Sequence, residues 1–134
     1  MVREFGIDLY LRWAALWNRE LPAEEIMAPQ FTLRYAQPGA TVYDDIHDPK
    51  ALATQIDAFH EQIRGLTFSP QGIAVVEMDE THTGLVAQPY GARIELPGGG
   101  VSDVSGTDIL RTENGLIVEV WSVSGGLGGR SFYA

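Results

Sequence analysis

The chain of 134 residues contains no cysteine, which excludes disulfide bridges, thiolate metal ligands and cysteine catalysis. Basic residues are scarce, since nine of them stand against eighteen acidic ones, and Lys50 is the only lysine. The resulting net charge of −9 repels phosphate backbones, so no nucleic-acid partner is expected. No apolar run approaches the roughly 20 residues that span a bilayer, and the N-terminus lacks a signal-peptide pattern. These absences predict a cytoplasmic protein without a membrane partner.

Signals for bound metals or cofactors are also missing. His47, His60 and His82 lie far apart, with no spacing that suits a metal site. The glycines at 125–129 precede no predicted helix, so they do not form a phosphate-binding loop. We therefore expect neither a metal nor a cofactor. The length predicts one domain over residues 1–134, in which residues 125–134 form a flexible tail.

Helices are predicted in the first half of the chain. Residues 4–20 place apolar side chains at steps of three and four, on more than one face, which predicts a helix covered on two sides. A short helix is predicted over Ala23–Ala28, with Pro22 at its start and Pro29 at its end. A third helix is predicted to begin with Asp48 as its N-cap and Pro49 as its first helical residue, and to end at Gly65.

Beyond Gly65 the apolar pattern changes to a period of two, which predicts strands. Pro89 implies a bulge, a bend or a sheet edge in one of them, and Asn114-Gly115 predicts a hairpin. Helices first and hairpins last predict an α+β fold, with helices packed on one face of a curved antiparallel sheet. One predicted strand, Gln30–Ala36, precedes the third helix. The strands predicted after that helix are Leu66–Phe68, Ile73–Asp79, His82–Leu96, Val101–Thr112 and Leu116–Ser124.

Three segments resemble the SnoaL-like branch of the nuclear transport factor 2-like superfamily. They are residues 10–18 (Tyr-Leu-Arg-Trp-Ala-Ala-Leu-Trp-Asn), residues 48–63, and residues 106–121. The third follows the family's pattern of an aspartate, a short apolar run ending in arginine, a glycine turn and Ile-x-Glu-x-Trp. The resemblance implies a cone-shaped, cystatin-like fold, in which the curved antiparallel sheet wraps around N-terminal helices and leaves an apolar pocket. The superfamily includes ketosteroid isomerase, polyketide cyclases, limonene epoxide hydrolase, dehydratases, and proteins that only bind or dimerise.

Asp108 is the leading candidate for a catalytic residue. It is in phase with Val104 and Leu110 on its strand, so we expect it to be buried, and buried carboxyl groups are paired, protonated or functional. The resemblance places it at the position of the acid in the oxyanion hole of ketosteroid isomerase and of the catalytic acid of polyketide cyclases. The alternatives are a salt bridge to Arg34 or Arg111, or a register that turns Asp108 to solvent.

Other groups of the superfamily's known chemistries are missing. Trp13 stands at the position of the isomerase's helix tyrosine, and Tyr35 at the position of its general base. The epoxide-hydrolase pattern is absent as well, since Ser122 replaces its last aspartate. These two specific chemistries are therefore disfavoured.

Further residues are candidates for a pocket. Tyr35 is predicted to donate a hydrogen bond into it, or to be a core tyrosine with a wet tip. His60 lies on the apolar stripe of its helix, as a catalytic assistant or as a core histidine with its hydrogen bonds satisfied. Large apolar side chains are predicted to contact a ring-shaped substrate, with plain core packing as the alternative: Trp13, Trp17, Phe59, Leu110 and Val120.

The last predicted strand is apolar on both faces. Ile117, Glu119, Trp121 and Val123 alternate with Val118, Val120 and Ser122, and no helix remains to cover the first set. A second copy of the chain is therefore predicted to cover it, giving a homodimer.

The sequence thus favours a small cofactor-free enzyme that binds a hydrophobic small molecule. It would act on a carbonyl compound by acid–base chemistry: isomerisation, aldol cyclisation or dehydration. Two alternatives stay open, a non-catalytic ligand-binding protein and a dimeric interaction module. An Asp108 that faces a pocket near a second polar group favours the enzyme, and an Asp108 paired with arginine favours the binding protein. The absence of a pocket favours the interaction module.

Overall fold

The computed structural model describes residues 1–133, which form two α-helices, six strands and three short 3₁₀ turns. The helices are α1 (Val2–Trp17) and α2 (Pro49–Gln62), and the 3₁₀ turns are Ala23–Glu25, Ala40–Asp45 and Gly126–Gly128. The strands are β1 (Met27–Tyr35), β2 (Thr67–Pro70), β3 (Val75–Met78), β4 (Gly84–Glu95), β5 (Val101–Glu113) and β6 (Leu116–Ser124).

All six strands belong to one curved sheet with the order β1-β6-β5-β4-β2, and β3 pairs with another stretch of β4. The helices pack on one face of this sheet and enclose the main core with it. The predicted α+β class with helices on one sheet face is confirmed. One pairing differs from the predicted antiparallel sheet, because β1 runs parallel to β6.

The ends of both helices are fixed by specific contacts. Asp48 caps α2 by accepting a hydrogen bond from the Ala51 amide at 2.9 Å, and Pro49 is its first residue, as predicted. Asn18, just after α1, exchanges two hydrogen bonds with the backbone of Phe68, at 2.8 and 2.7 Å. This clamp ties the end of α1 to β2 and so sets the position of the tryptophans near that end.

The predicted short helix over Ala23–Ala28 is wrong. Only the 3₁₀ turn at Ala23–Glu25 forms, and β1 begins at Met27 and continues through Pro29. The Ile117 amide of β6 donates to the Ile26 carbonyl at 2.8 Å, so pairing with the sheet overrides local helix propensity. Pro29 is tolerated in the strand because the β1–β6 register is irregular between Met27 and Thr32.

Pro89 lies in β4 between the stretch that pairs with β3 and the stretch that pairs with β2. β3 pairs with β4 as far as Ala87, and β2 pairs with it from Tyr90 onward. The Pro89 carbonyl accepts a hydrogen bond from the Gln71 amide at 2.8 Å, within the connection between β2 and β3. The missing N–H of proline therefore falls at a gap in the ladder, which is a local edge and one of the three alternatives of bulge, bend or edge.

A bulge in β6 corrects the predicted alternation of this strand. Arg111 pairs with Glu119, but Thr112 pairs with Ile117, so Val118 is an extra residue. The bulge turns Ile117 into the core, where it is fully buried. The assignment of Ile117 to the outer face is therefore wrong, and that face of β6 carries Glu119, Trp121 and Val123.

The C-terminal segment contacts β5. The Ser105 amide donates to the Arg130 carbonyl at 2.9 Å, and the Phe132 amide donates to the Ser105 hydroxyl at 2.9 Å. The flexibility of residues 125–134 stays a prediction, and its last residue, Ala134, lies outside the described residues. No helix within residues 1–133 is long and apolar enough to cross a membrane.

Candidate active site

A cavity of about 290 Å³ lies between α1, α2 and the helix-covered face of the sheet. Its volume is close to the lower end of the range of small-molecule sites, about 300–1,000 Å³. One end is hydrocarbon, formed by Leu66, Ala92, Ile94 and Val104. Eight aromatic side chains form most of the remaining wall: Tyr10, Trp13, Trp17, Tyr35, Tyr43, Phe59, Phe68 and Tyr90.

Asp108 lies on the floor of this cavity, at the centre of a row of residues that crosses the sheet. It pairs in register with Ser122 of β6, and Ser122 pairs in turn with Tyr35 of β1. Asp108 is 7% exposed. The Trp13 indole Nε1–H donates to its Oδ2 at 2.8 Å, whereas its buried Oδ1 has no well-formed hydrogen bond to the described residues. One carboxylate oxygen is therefore held in place and the other is left for a ligand.

Burial is the main influence on the charge of Asp108. It raises the pKa of this carboxyl from 3.8 to about 6, and the nearby Ser122 hydroxyl and the bonded Trp13 indole offset part of the rise. The alternative of a salt bridge to Arg34 or Arg111 is wrong, because both arginines bond to Glu119 instead. A carboxyl group with a pKa near neutrality and no cationic partner can both accept and return a proton.

Replacing Trp13 by phenylalanine is expected to raise the pKa of Asp108 further, by about one unit. The reason is that the variant removes a hydrogen bond that favours the charged carboxylate. A carbon-13 NMR titration of the carboxyl group measures the shift. The control is Trp17→Phe, which makes the same change in a cavity tryptophan whose indole is not bonded to Asp108. Equal pKa values in the two variants would contradict the assigned role of Trp13.

Phenol groups surround Asp108 and remain protonated near neutral pH. Burial raises the pKa of Tyr10, Tyr35 and Tyr90, and the Asp108 charge raises each of them further. Tyr43 packs against Tyr35 with ring centroids 4.4 Å apart and the rings tilted by 32°, and burial raises the pKa of Tyr43 to about 12. The Tyr10 hydroxyl is committed to the Gln88 carbonyl at 2.6 Å. Tyr35 and Tyr90 therefore remain as hydrogen-bond donors for a ligand next to Asp108.

Five of the residues predicted from the sequence meet at the cavity. Trp13, Trp17, Tyr35, Phe59 and Asp108 all line it, as inward-facing positions on four different elements. Aromatic contacts hold the group together: the Trp17 ring centroid lies 6.0 Å from that of Trp13 and 6.2 Å from that of Phe59.

Three predicted site residues do not reach the cavity. His60 Nε2 lies 2.6 Å from the Trp17 carbonyl and donates to it, so it is a core histidine with a satisfied hydrogen bond. Leu110 and Val120 are paired in register and fully buried under the helices, so no face of either is left for a substrate. Leu110 comes two residues after Asp108 and Val120 two residues before Ser122, so the pair lies next to the Asp108–Ser122 pair in the sheet.

Sequence reasoning missed several polar and aromatic residues of the site. For Tyr90 a signal was present, because a glycine within a strand often marks a close approach. Tyr90 pairs with Gly106, and a Cβ atom at Gly106 would lie 2.5 Å from the Tyr90 hydroxyl. Of the remaining members, Gln37 and Tyr43 come from turns and Ser124 from the end of β6, whereas Gln55 is a polar residue of α2, one turn before Phe59.

No group of three or more His, Asp or Glu side chains within residues 1–133 is arranged to hold a metal ion. The titratable groups that line the cavity are Asp108 and four tyrosines. The acid–base groups that the lining itself supplies are thus one carboxyl group and its phenol neighbours.

Comparison with known proteins identifies the relatives of this chain. A family model described as a SnoaL-like domain matches residues 11–120. Comparison with curated proteins gives no match. Among solved structures, the chain resembles a candidate polyketide cyclase from Acidithiobacillus ferrooxidans, with a TM-score of 0.72, 14% identity and coverage of 92% of this chain and 90% of the other.

Two further structures support the same fold. IdmH, a candidate polyketide cyclase from Streptomyces antibioticus, has a TM-score of 0.69 and 21% identity, with 89% of this chain and 91% of that chain covered. An NTF2-like protein of unknown function from Cytophaga hutchinsonii has a TM-score of 0.65 and 13% identity, with 92% and 99% covered.

Proposed function

We propose, on the premise that this chain belongs to the SnoaL-like domain family, that it is a cofactor-independent enzyme that moves a proton at the carbon beside a carbonyl group of a hydrophobic ring compound. The observation that carries this proposal is the buried Asp108 carboxyl group, which faces an aromatic cavity without a cationic partner. A pKa near the working pH suits such a group to general acid–base catalysis.

The arrangement of the site supports an enzyme over the two alternatives set out from the sequence. Asp108 is next to Ser122 and Tyr35 in the sheet and is not paired with an arginine, which argues against a site built only for binding. The cavity, which holds about 290 Å³, argues against a pure interaction module. The binding-protein alternative still has one observation in its favour, since His60 is committed to Trp17 and supplies no second base.

Asp108 has the central role in the proposed reaction. Its free Oδ1 takes a proton from the carbon beside the substrate carbonyl, and the electron pair of that C–H bond becomes the C=C bond of an enolate. The carbonyl π electrons move to oxygen. The protonated Asp108 then returns the proton, either to the far carbon of a C=C bond conjugated with the enolate, whose electrons shift by one bond (isomerisation), or to the alkoxide formed when the enolate carbon attacks a second carbonyl (aldol cyclisation). Proton transfer to a departing hydroxide, which leaves as water, gives dehydration.

Tyrosine hydroxyls are proposed to stabilise the enolate. Tyr35 and Tyr90 stay protonated at neutral pH because burial and the Asp108 charge raise their pKa values. A hydrogen bond donated to the enolate oxygen is strongest where charge develops in a site that excludes water. The walls of Trp13, Trp17 and Phe59 would hold the ring system against these groups.

Among the three reactions, aldol cyclisation has the support of the comparisons. Two structures that share the fold are described as candidate polyketide cyclases, and the aromatic lining of the cavity would suit a flat, hydrophobic ring system. At 14% and 21% identity these structures support the fold and not a particular reaction, so aldol cyclisation by this chain is our proposal.

A bicyclic ketone such as 1-tetralone is expected to bind in the cavity and to exchange its α-protons faster in the presence of the protein. Binding should quench tryptophan fluorescence, because Trp13 and Trp17 line the cavity, and should raise the melting temperature by mass action. Proton exchange in deuterium oxide is followed by NMR. Binding of such ketones without faster exchange would favour the binding protein, and a panel of ring ketones that neither quench nor shift the melting temperature would contradict the pocket itself.

A further inference from the structure

Gln37 has an unmatched polar atom at the cavity. Its side-chain Oε1 is buried and has no hydrogen-bond partner, and the residue lines the cavity. Among residues 1–133 the one other buried side-chain oxygen or nitrogen in this state is Oδ1 of Asp108, which faces the same cavity. A buried acceptor without a donor is costly, so Oε1 of Gln37 at this cavity indicates a ligand that supplies the missing donor, beside the Asp108 oxygen that is left for the substrate C–H group.

The backbone around Gln37 is held in place on both sides. The Ala36 amide donates to the Ser122 carbonyl at 2.9 Å, which continues the β1–β6 ladder by one residue. The Ala40 amide donates to the Gln37 carbonyl at 3.2 Å, and Gly39 has a φ of +80°. Proline at the second and glycine at the third position are typical of a type II turn. Gln37 therefore presents its side chain from a defined turn.

Gln37 and Asp108 lie at different places along the cavity. Gln37 follows Tyr35 by two residues, and Tyr35 is two strands away from Asp108. The two backbone positions are thus separated by roughly 10 Å across the strands and roughly 7 Å along them. Both residues line the one cavity, so a ligand that reaches both must carry polar groups at opposite ends.

We propose that Gln37 is a specificity-determining residue, whose Oε1 accepts a hydrogen bond from a hydroxyl or amide N–H of the ligand. The ligand is then a ring compound that places the C–H group beside its carbonyl at Asp108 and a hydrogen-bond donor at Gln37. This inference rests on the part of the proposed function that places a hydrophobic ring compound in the cavity, and it does not depend on proton transfer.

Two probes that differ in one group test this inference. The phenol of 6-hydroxy-1-tetralone offers a donor at the end of the molecule away from the carbonyl, whereas 6-methyl-1-tetralone has similar size without the O–H. The unaltered protein is expected to bind the hydroxy compound about tenfold more tightly, as measured by tryptophan quenching or calorimetry. A purely apolar pocket would favour the methyl compound instead.

Gln37→Met removes the acceptor and keeps the length of the side chain, so it should reduce the preference to about twofold or reverse it. Gln30→Met, the same change at an exposed position of β1, should leave the preference intact, and Gln37→Glu should retain it. Without ligand, Gln37→Met should melt at the same or a higher temperature than the parent, because the lost oxygen has no partner in the protein.

The outcomes of this test are separable from those for catalysis. Equal binding of the two probes, or a preference that survives Gln37→Met, overturns the role of Gln37 even if α-proton exchange is found. Binding with the expected preference but without exchange supports Gln37 and removes the enzymatic proposal. If neither tetralone binds the unaltered protein, the inference fails together with the proposed substrate class.

Discussion

Asp108→Asn is expected to make the protein more stable at pH 8 and to remove proton transfer at the site. Burial raises the pKa of Asp108 from 3.8 in its unperturbed state to about 6 in the folded protein. At pH 8 the folded protein therefore carries a buried negative charge without a cationic partner. Asparagine has the same shape, can accept the Trp13 hydrogen bond, and carries no charge, so the electrostatic cost of folding disappears.

The pH dependence of this effect has a definite sign. The folded state binds the proton more tightly than the unfolded state, so the stability that Asp108 contributes is complete below pH 4 and is lost as the pH rises through about 6. The shift of about two units corresponds to roughly 3 kcal/mol above that range. Asn should raise the melting temperature by several degrees at pH 8 and by little at pH 4. Thermal melts of both proteins at the two pH values measure it.

Asp103→Asn is a matched control on the same strand. Asp103 is exposed, and its bond to Arg93 lowers its pKa, so the sign of any effect on stability is opposite and its size small. A variant at Asp108 that is less stable than the parent at pH 8 would contradict the unpaired buried acid on which the proposed mechanism depends.

The loss of activity in Asp108→Asn is the larger effect. General acid–base catalysis contributes about 10² to 10⁴ in rate, and asparagine can neither take nor return a proton. The α-proton exchange of bound 1-tetralone should therefore fall to the buffer rate while the tetralone still quenches tryptophan fluorescence. Exchange that persists at the parent rate would assign the chemistry to another group. Higher stability combined with lost activity is the trade-off expected when a functional site contains a buried charge that destabilises the folded state.

Much of the fold and the centre of the candidate site could be predicted from the period of the apolar residues and from residues that fix the local backbone conformation. Asp48 and Pro49 specify the start of α2 because both act through the local backbone, and the bounds of β6 match those predicted. The in-phase positions of Val104, Asp108 and Leu110 placed the carboxyl on the buried face. A glycine opposite Tyr90 carried information as well, although the sequence does not say which side chain fills its space.

The errors arise where contacts between distant segments decide the outcome. The parallel pairing of β1 with β6 converts a segment that resembles a helix into strand, because tertiary hydrogen bonds outweigh local preference. The bulge at Val118 reverses the face of Ile117, and no residue type marks it. His60, Leu110 and Val120 point towards the interior as predicted, but they do not line the cavity. Whether an inward-facing residue reaches the cavity depends on the elements packed over it. Gln37 and Tyr43 lie in turns, where no period indicates direction.

The outer face of the sheet is the surface on which we propose that two copies of the chain pair. Trp121 and Ile109 are cross-strand partners at its centre and are half-buried in one chain, and Val123 beside them is 53% exposed. A bonded group of Arg34, Glu119 and Arg111 borders this apolar area. Aromatic and aliphatic side chains at the centre with charges at the rim are typical of an interface between subunits.

Trp121→Glu is accordingly expected to convert a dimer into monomers or into insoluble protein. Loss of a central tryptophan typically costs at least about 2 kcal/mol of association energy, which weakens the dimer about 30-fold, and a buried glutamate adds the cost of removing a charge from water. Light scattering at micromolar concentration measures the mass of both proteins.

Leu11→Glu is the control, because Leu11 is also exposed but lies on α1, away from this face, and it should leave the dimer intact. Since Trp121 points away from the cavity, the monomeric variant should still bind 1-tetralone, which separates assembly from ligand binding. An unaltered chain that is a monomer at micromolar concentration would contradict the proposed pairing and leave the apolar outer face to another partner.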